Sequence, residues 1–299
     1  MSTEKLTGGT AMIYDMNKGT FNEVRRDGKP IIISKIYHGE DSAHVVTDIN
    51  GISYFYGTLS FTPMFPNNTK YDIADCSISY YFGSLVTTDG ALWYFKLNFP
   101  SFPGDLIYLM SGVKSVQIGL WHMYYLTMDN MLFKMDIPDP DKPMKSILIC
   151  EDVESFSLRS EYPVILKNRS LKYYYHDNLE SLLPELDGRV IKLVRGATYV
   201  LDDGSYVYYD PLYGGTPLYF NNPHMFFGEH APNKGVSIEI IGVLLSNSGK
   251  LNIICGSRQR EDKISKLEGI ISAQIIGSKL CMIVDRDHAE KNRKILKAE

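Results

Sequence analysis

Short apolar runs alternate with tight polar turns along most of this chain. The stretch "SLVTTDGALWYF" (Ser84 to Phe95) sets the pattern: an apolar lead-in, a Thr-Asp-Gly turn, an apolar-aromatic lead-out. Related stretches turn at Asn50-Gly51, Asp129-Asn130, Asn168-Arg169, Asp203-Gly204 and Ser248-Gly249. "LCMIVDRDHAEKN" reads as a worn seventh copy near Asp287. Asn, Asp and Gly tolerate the positive φ that both central residues of a type I′ turn require, so each copy predicts a β-hairpin.

The steps between turn positions 51, 90, 130, 169, 204, 249 and 287 are 39, 40, 39, 35, 45 and 38 residues. A short β-branched strand precedes each hairpin and usually runs into a glycine: Gly39, Gly83, Gly119, Gly196, Gly242 and Gly277, with Ser160 in the fourth copy. Each unit thus offers strand, bend, strand, turn and strand, with room for a fourth strand in the connector. A lone small sheet cannot bury both faces, whereas several packed face to face around an axis can. Units of roughly 40–45 residues make propeller blades. The expected fold is therefore all-β, a seven-bladed β-propeller, with residues 1–299 as one domain. Six blades with a decorated end is the alternative count, and a two-sheet sandwich the alternative architecture. The hairpin "AMIYDMNKGTF" (Ala11 to Phe21) is expected to pair with strands around Leu280 to Val284, so that both termini share a blade and close the ring. The tail from His288 to Glu299 suits either a short helix or a charged strand.

Composition agrees with a packed β protein. Of 299 residues, 44% are apolar and 21 are tyrosine, a residue suited to pleated, half-wet surfaces. The longest apolar runs, such as Ile240 to Leu245, are too short to span a bilayer, and the N-terminus has no apolar signal core. An intracellular setting is expected, cytoplasmic or nuclear, or the host-cell cytoplasm for a viral protein. Cys76, Cys150, Cys255 and Cys281 are far apart in sequence and read as buried reduced thiols. The sequons at Asn67 and Asn168 read as chance matches. A net charge of −4 argues against general nucleic-acid binding, which calls for a basic excess.

The units Ile73 to Phe95, Val113 to Met135 and Val190 to Asp210 resemble the regulator-of-chromosome-condensation repeat, and the outline extends over roughly residues 30 to 287. The departures are specific. These units are shorter, and the family's histidine after the strand-ending glycine is matched only by His122 after Gly119 and His44 after Gly39. No G-Q-L-G segment occurs; "LYGGTPL" (Leu212 to Leu218) is the nearest remnant. The resemblance implies a seven-bladed propeller. It also implies a protein partner, since the family's best-known member promotes nucleotide exchange on a small GTPase and docks on nucleosomes, while relatives act as interaction platforms.

Catalytic motifs are scarce. There is no GxxxxGK[ST], GxGxxG or GxSxG. His224, Glu229 and His230 have the residue types of a zinc site, but i, i+6 spacing in a Pro/Asn/Gly-rich loop does not match helical ligand spacing. Asp202-Asp203 could suggest acid/base work, yet the same site reads "TTDG" and "TDING" elsewhere, so turn shaping accounts for the pair. No metal or cofactor is expected. Three long connectors, Gly57 to Asp72, Leu97 to Gly112 and Pro211 to Gly235, mix Pro and Gly with aromatics. Aromatic anchors on a rigid frame are what protein interfaces use. The expectation is a non-enzymatic interaction scaffold that binds another protein through one rim of loops, with Trp121, Tyr213, Phe226 and Phe227 as anchors. The alternatives are a small-GTPase or chromatin regulator and an enzyme at the mouth of a central channel.

Overall fold

The computed structural model describes residues 8–15, 18–26, 28–38, 44–56, 61–65, 70–79, 81–97, 106–138, 144–159, 161–194, 198–209, 211, 216–220, 225–227, 242–245, 251–254, 263–276 and 279–297. The chain forms two compact units, one of Met1–Lys70 with His224–Glu299, the other of Tyr71–Pro223. Among the described residues, no helix is long and apolar enough to cross a membrane.

The second unit is the repeat in its plainest form. It holds four antiparallel meanders of four strands. The first runs Ile73–Ile78, Phe82–Thr87, Leu92–Lys96, Ile107–Met110. The second runs Val113–Ile118, His122–Thr127, Leu132–Asp136, Ser146–Cys150. The third runs Ser155–Arg159, Tyr162–Lys167, Ser170–Tyr175, Asn178–Leu182. The fourth runs Val190–Val194, Thr198–Leu201, Tyr206–Tyr208, Leu218–Phe220. The fourth strand of each comes from the connector, where sequence left room for it.

Period-2 alternation sends successive residues to opposite faces, and in the second strand of each of the first three sheets both faces are buried. Tyr125 and Met123 pack with Val86, Leu92 and Tyr94 of the first sheet. Their strand neighbours Tyr124 and Leu126 pack with Phe156 and Ile165 of the third. Val164, Leu166 and Tyr173 in turn meet Val190, Leu193 and Tyr199 of the fourth. Each fully buried Leu or Val contributes on the order of 1.5–3 kcal/mol, so no sheet in this stack would be stable with its neighbours removed. A recurring hydrogen bond sets the stacking. Val113 N donates to Gly90 O at 3.0 Å, Val153 N to Asn130 O at 2.9 Å and Val190 N to Arg169 O at 3.2 Å. In each case the last residue of a hairpin turn holds the start of the next sheet.

The turns differ from the type I′ expectation in most copies. At Thr87–Ala91, Gly90 N bonds Thr87 O and Thr87 N bonds Ala91 O, while only Gly90 has positive φ. Asp48–Ile52, Thr127–Met131 and Leu201–Ser205 repeat this arrangement with Gly51, Asn130 and Gly204. These are three-residue loops, a type I turn followed by a left-handed bulge residue. The Asn168-Arg169 turn does have two positive φ values, as does His176-Asp177.

The first unit contains an eight-stranded sheet. Strand Gly9–Asp15 pairs with Lys279–Val284, Met12 opposite Met282 and Tyr14 opposite Leu280. This is the pairing of the termini that the sequence predicts. Ile270–Ile276 lies outside Lys279–Val284, and Thr20–Glu23 pairs with Gly9–Asp15. Two residue pairs at Gly9–Thr10 join this group to Ile32–His38, which leads the meander through His44–Asp48, Ser53–Tyr56 and Phe61–Pro63. A three-stranded sheet of Met225–Phe227, Gly242–Leu245 and Leu251–Ile254 completes the larger strands of the unit.

The seventh turn expected near Asp287 is instead the start of a helix, Arg286–Lys297. Asp285 caps it, its Oδ1 accepting from Asp287 N at 2.7 Å and His288 N at 3.2 Å. The third strand of that sheet comes from the N-terminus, so no local hairpin is needed. Ala289 and Leu296 pack on Met12, Tyr14, Leu280 and Met282. Glu23, 3% exposed, accepts from Arg293 Nε at 3.0 Å and from Arg25 Nη2 at 2.9 Å. Cys76, Cys150 and Cys281 are buried free thiols, while Cys255 lies outside the described residues.

Candidate functional site

The sheets of the second unit present two kinds of end. At one end lie the tight hairpin turns, and there Asp89, Asp202 and Asp203 are engaged. Asp89 accepts from the Thr87 hydroxyl and from Ala91 N. The Thr87 bond first, then the backbone bond, hold its carboxyl below the ordinary range. Asp203 accepts from Ser205 N at 2.9 Å and from Arg189 Nη2 at 2.9 Å, and Asp202 from Arg169 Nη2 at 3.0 Å. The Asp202-Asp203 pair therefore shapes a turn and pairs with arginines.

At the other end, the first strand of each sheet bends into the second. Ser79 N bonds Phe82 O at 2.8 Å, and Gly119 N bonds His122 O at 2.9 Å. Arg159 pairs with Tyr162 in the same way. Tyr81, Trp121 and Glu161 accordingly occupy equivalent places, each just before a second strand. Trp121 is 71% exposed and Tyr81 62%. The equivalence also locates the glycines. Gly119 sits at the bend, where an added Cβ would come within 2.5 Å of the Glu161 carboxylate. Gly83 is instead inside a strand, where an added Cβ would overlap the Phe95 ring.

Glu161 organises the corner beside Trp121. Its carboxylate accepts from Leu120 N and, at 3.2 Å, from Trp121 N, while its carbonyl accepts from the Tyr124 hydroxyl at 2.8 Å. His122, the residue matching the family histidine, has Nδ1 3.8 Å from Glu161 and Nε2 3.7 Å from Asp136. Burial, then the Lys134 charge, push its pKa below the ordinary histidine value, against the pull of Glu161 and Asp136. Asp177 accepts from the Tyr174 hydroxyl at 2.7 Å and lies 3.5 Å from Lys134 Nζ. Those two bonds, Tyr174 foremost, lower the Asp177 pKa. Burial, together with Asp177, pushes the Tyr174 phenol up to about 12. The Tyr162 ring lies tilted against Tyr175 with centroids 4.6 Å apart, and Tyr175 meets the His176 ring edge-on at 4.1 Å. The result is a bend pinned by Glu161 that carries an exposed Trp121.

Of the anchors expected from sequence, Trp121 is here. Tyr213 lies outside the described residues, as do the side chains of Phe226 and Phe227 and all of His224, Glu229 and His230. Among the described residues, no three His, Cys, Asp or Glu side chains are grouped to hold a metal ion. Sequence reading missed Tyr81, Asp136, Glu161 and Asp177. For Tyr81 and Glu161 the available signal was position, since the residue preceding a second strand recurs at about the repeat spacing; Asp136 and Asp177 had none.

Four-stranded meanders stacked face to face, with a sheet shared by both termini, define the β-propeller class. No protein-family model matches the chain, and no characterised protein matches it in sequence. Solved structures do. Prp20p from Saccharomyces cerevisiae, described with its binding to Gsp1p and histones, matches at TM-score 0.58 and 11% identity, over 96% of this chain and 94% of that one. Yeast RCC1 (Prp20) bound to Kap60 matches at TM-score 0.60 and 12% identity, over 96% and 92%. Human WBSCR16 matches at 0.56 and 10%, over 89% and 90%. At such identities the likeness establishes the fold, an RCC1-like β-propeller.

Proposed function

We propose that this propeller is a non-enzymatic, intracellular scaffold that engages another protein through the bend end of its second unit. The observation that carries the reading is the exposed Trp121, held on a bend whose backbone is pinned by Glu161. A large ring carried on a fixed backbone needs less ordering on contact than one on a mobile loop, which favours an interface hot spot. Tyr81 at the equivalent bend extends the surface. Similarly folded Prp20p is described with protein partners, Gsp1p and histones, and Kap60.

The test is quantitative capture from the native source by wild-type protein and by the Trp121→Ala, Tyr81→Ala double variant. Both side chains are exposed, so the thermal midpoint should stay within experimental scatter. Recovery of the principal partner should fall by about tenfold or more. Equal recovery by the two proteins overturns the reading.

A further inference from the structure

We propose that the Trp121 corner receives a basic, extended segment of the partner, with an arginine laid on the indole and paired to Asp136 and Asp177. This rests on the scaffold reading above and specifies its ligand chemistry.

The argument is charge complementarity around an apolar anchor. The carboxylates of Asp136 and Asp177 are 87% and 80% exposed. Ile137 N donates to Trp121 O at 3.3 Å and Asp136 stands opposite His122, so Asp136 is one residue along the strand from the cross-strand neighbour of Trp121. Asp177 reaches the same corner through Lys134, which pairs across the sheet with Tyr124. In the ion pairs of this corner, Glu161, Asp136 and Asp177 face the basic side chains of Lys134 and His122. Three carboxylates against two basic side chains leave an excess of negative charge.

The corner differs from the turn end, where Asp202 and Asp203 already hold Arg169 and Arg189. Its carboxylates lack a guanidinium partner among these contacts, and a guanidinium suits the geometry better than an ammonium. Its plane lies flat on an indole while its edge donates to a carboxylate. The bend next door is not equivalent. Lys96 stands opposite Phe82 where Asp136 stands opposite His122. The basic segment is therefore centred on Trp121, with Tyr81 outside its charged part.

A fluorescein-labelled Arg-Gly repeat peptide, with Glu-Gly and Ser-Gly repeats as counterparts, provides the probe. Anisotropy against the whole chain should show binding of the Arg-Gly peptide alone. Binding should weaken as ionic strength rises from about 0.01 M to about 0.15 M, which shortens the Debye length from about 30 Å to about 8 Å. Trp121→Ala should weaken binding about three- to fivefold. Asp136→Asn with Asp177→Asn should weaken it about tenfold. Asp152→Asn, which removes an exposed carboxylate paired with Lys167, is the control and should change nothing. With Trp93→Phe as background, Trp121 is the one indole left, and its emission should shift on titration with Arg-Gly peptide.

Equal binding of the three peptides, or Arg-Gly binding unaltered in both the Trp121 and the aspartate variants, overturns the proposal. If the aspartate variant captures the native partner as well as wild type while Trp121→Ala does not, the scaffold reading stands and the basic ligand is wrong. If neither variant alters capture, the scaffold reading itself fails.

Discussion

The second unit and the terminal sheet of the first build the same kind of meander by opposite means. In the second unit, each strand within a sheet pairs with its immediate neighbour in sequence, and the second and third strands of each sheet are joined by a turn of a few residues. In the terminal sheet, Gly9–Asp15 pairs with Lys279–Val284, and a helix with a buried ion pair, Glu23–Arg293, clamps the junction. The difference teaches where this fold places its extra reinforcement. Local hairpins form with little loop-closure entropy, while joining the termini requires closing nearly the whole chain. The long closure is the one reinforced by an extra helix and charge pair.

Breaking the clamp should have the largest effect. Arg293→Ala leaves the Glu23 carboxylate buried with Arg25 alone, and should destabilise the protein by about 3 kcal/mol. Amide exchange resolved by segment is the sharper readout. Gly9–Asp15 should lose protection while Tyr162–Lys167 keeps it. Loss spread evenly over both segments would mean that the two regions unfold as one, and the comparison would collapse.

A middle-sized effect should come from the other region. Gly83→Ala forces a methyl against the buried Phe95 ring inside the first sheet of the second unit. Overpacking of this kind costs about 2 kcal/mol, measured as a lower urea midpoint. Here exchange should quicken in Phe82–Thr87 and not in Gly9–Asp15, the mirror image of Arg293→Ala.

The smallest effect tests the turns. Asp89 and Asp203 have carboxyls held below their unfolded values, by the Thr87 and Ser205 hydrogen bonds first. A depressed folded pKa gives stability that is full above the unfolded value, about 3.9, and is lost as pH falls through the folded value. Wild type should therefore lose urea midpoint below about pH 4 more steeply than Asp89→Asn with Asp203→Asn. Parallel acid limbs in the two proteins would show that these carboxylates do not contribute to the turns.

Much of the fold was legible because its signals are local. Asn-Gly and Asp-Gly between apolar runs mark hairpins whatever surrounds them, and alternation such as Tyr124-Tyr125 marks strands buried on both faces. The candidate site was legible only at Trp121, whose size stands out. Asp136 and Asp177 are ordinary surface aspartates in sequence, at a strand end and in a turn. Asp202-Asp203 looks more like chemistry than either, yet the fold gives those two arginine partners.

The sequence by itself determined the repeat, the turns at Gly51, Gly90, Asn130, Arg169 and Gly204 and the pairing of the termini, because each follows from alternation and turn chemistry within a short stretch or from one unmatched hairpin. Tertiary structure alone decided that Asp285 caps a helix where a seventh turn was expected, that Gly119 exists to admit Glu161, and that Asp136, Asp177 and Trp121 share a corner. Those outcomes depend on which side chain from one sheet reaches the next, a distance in space that spacing along a chain does not encode.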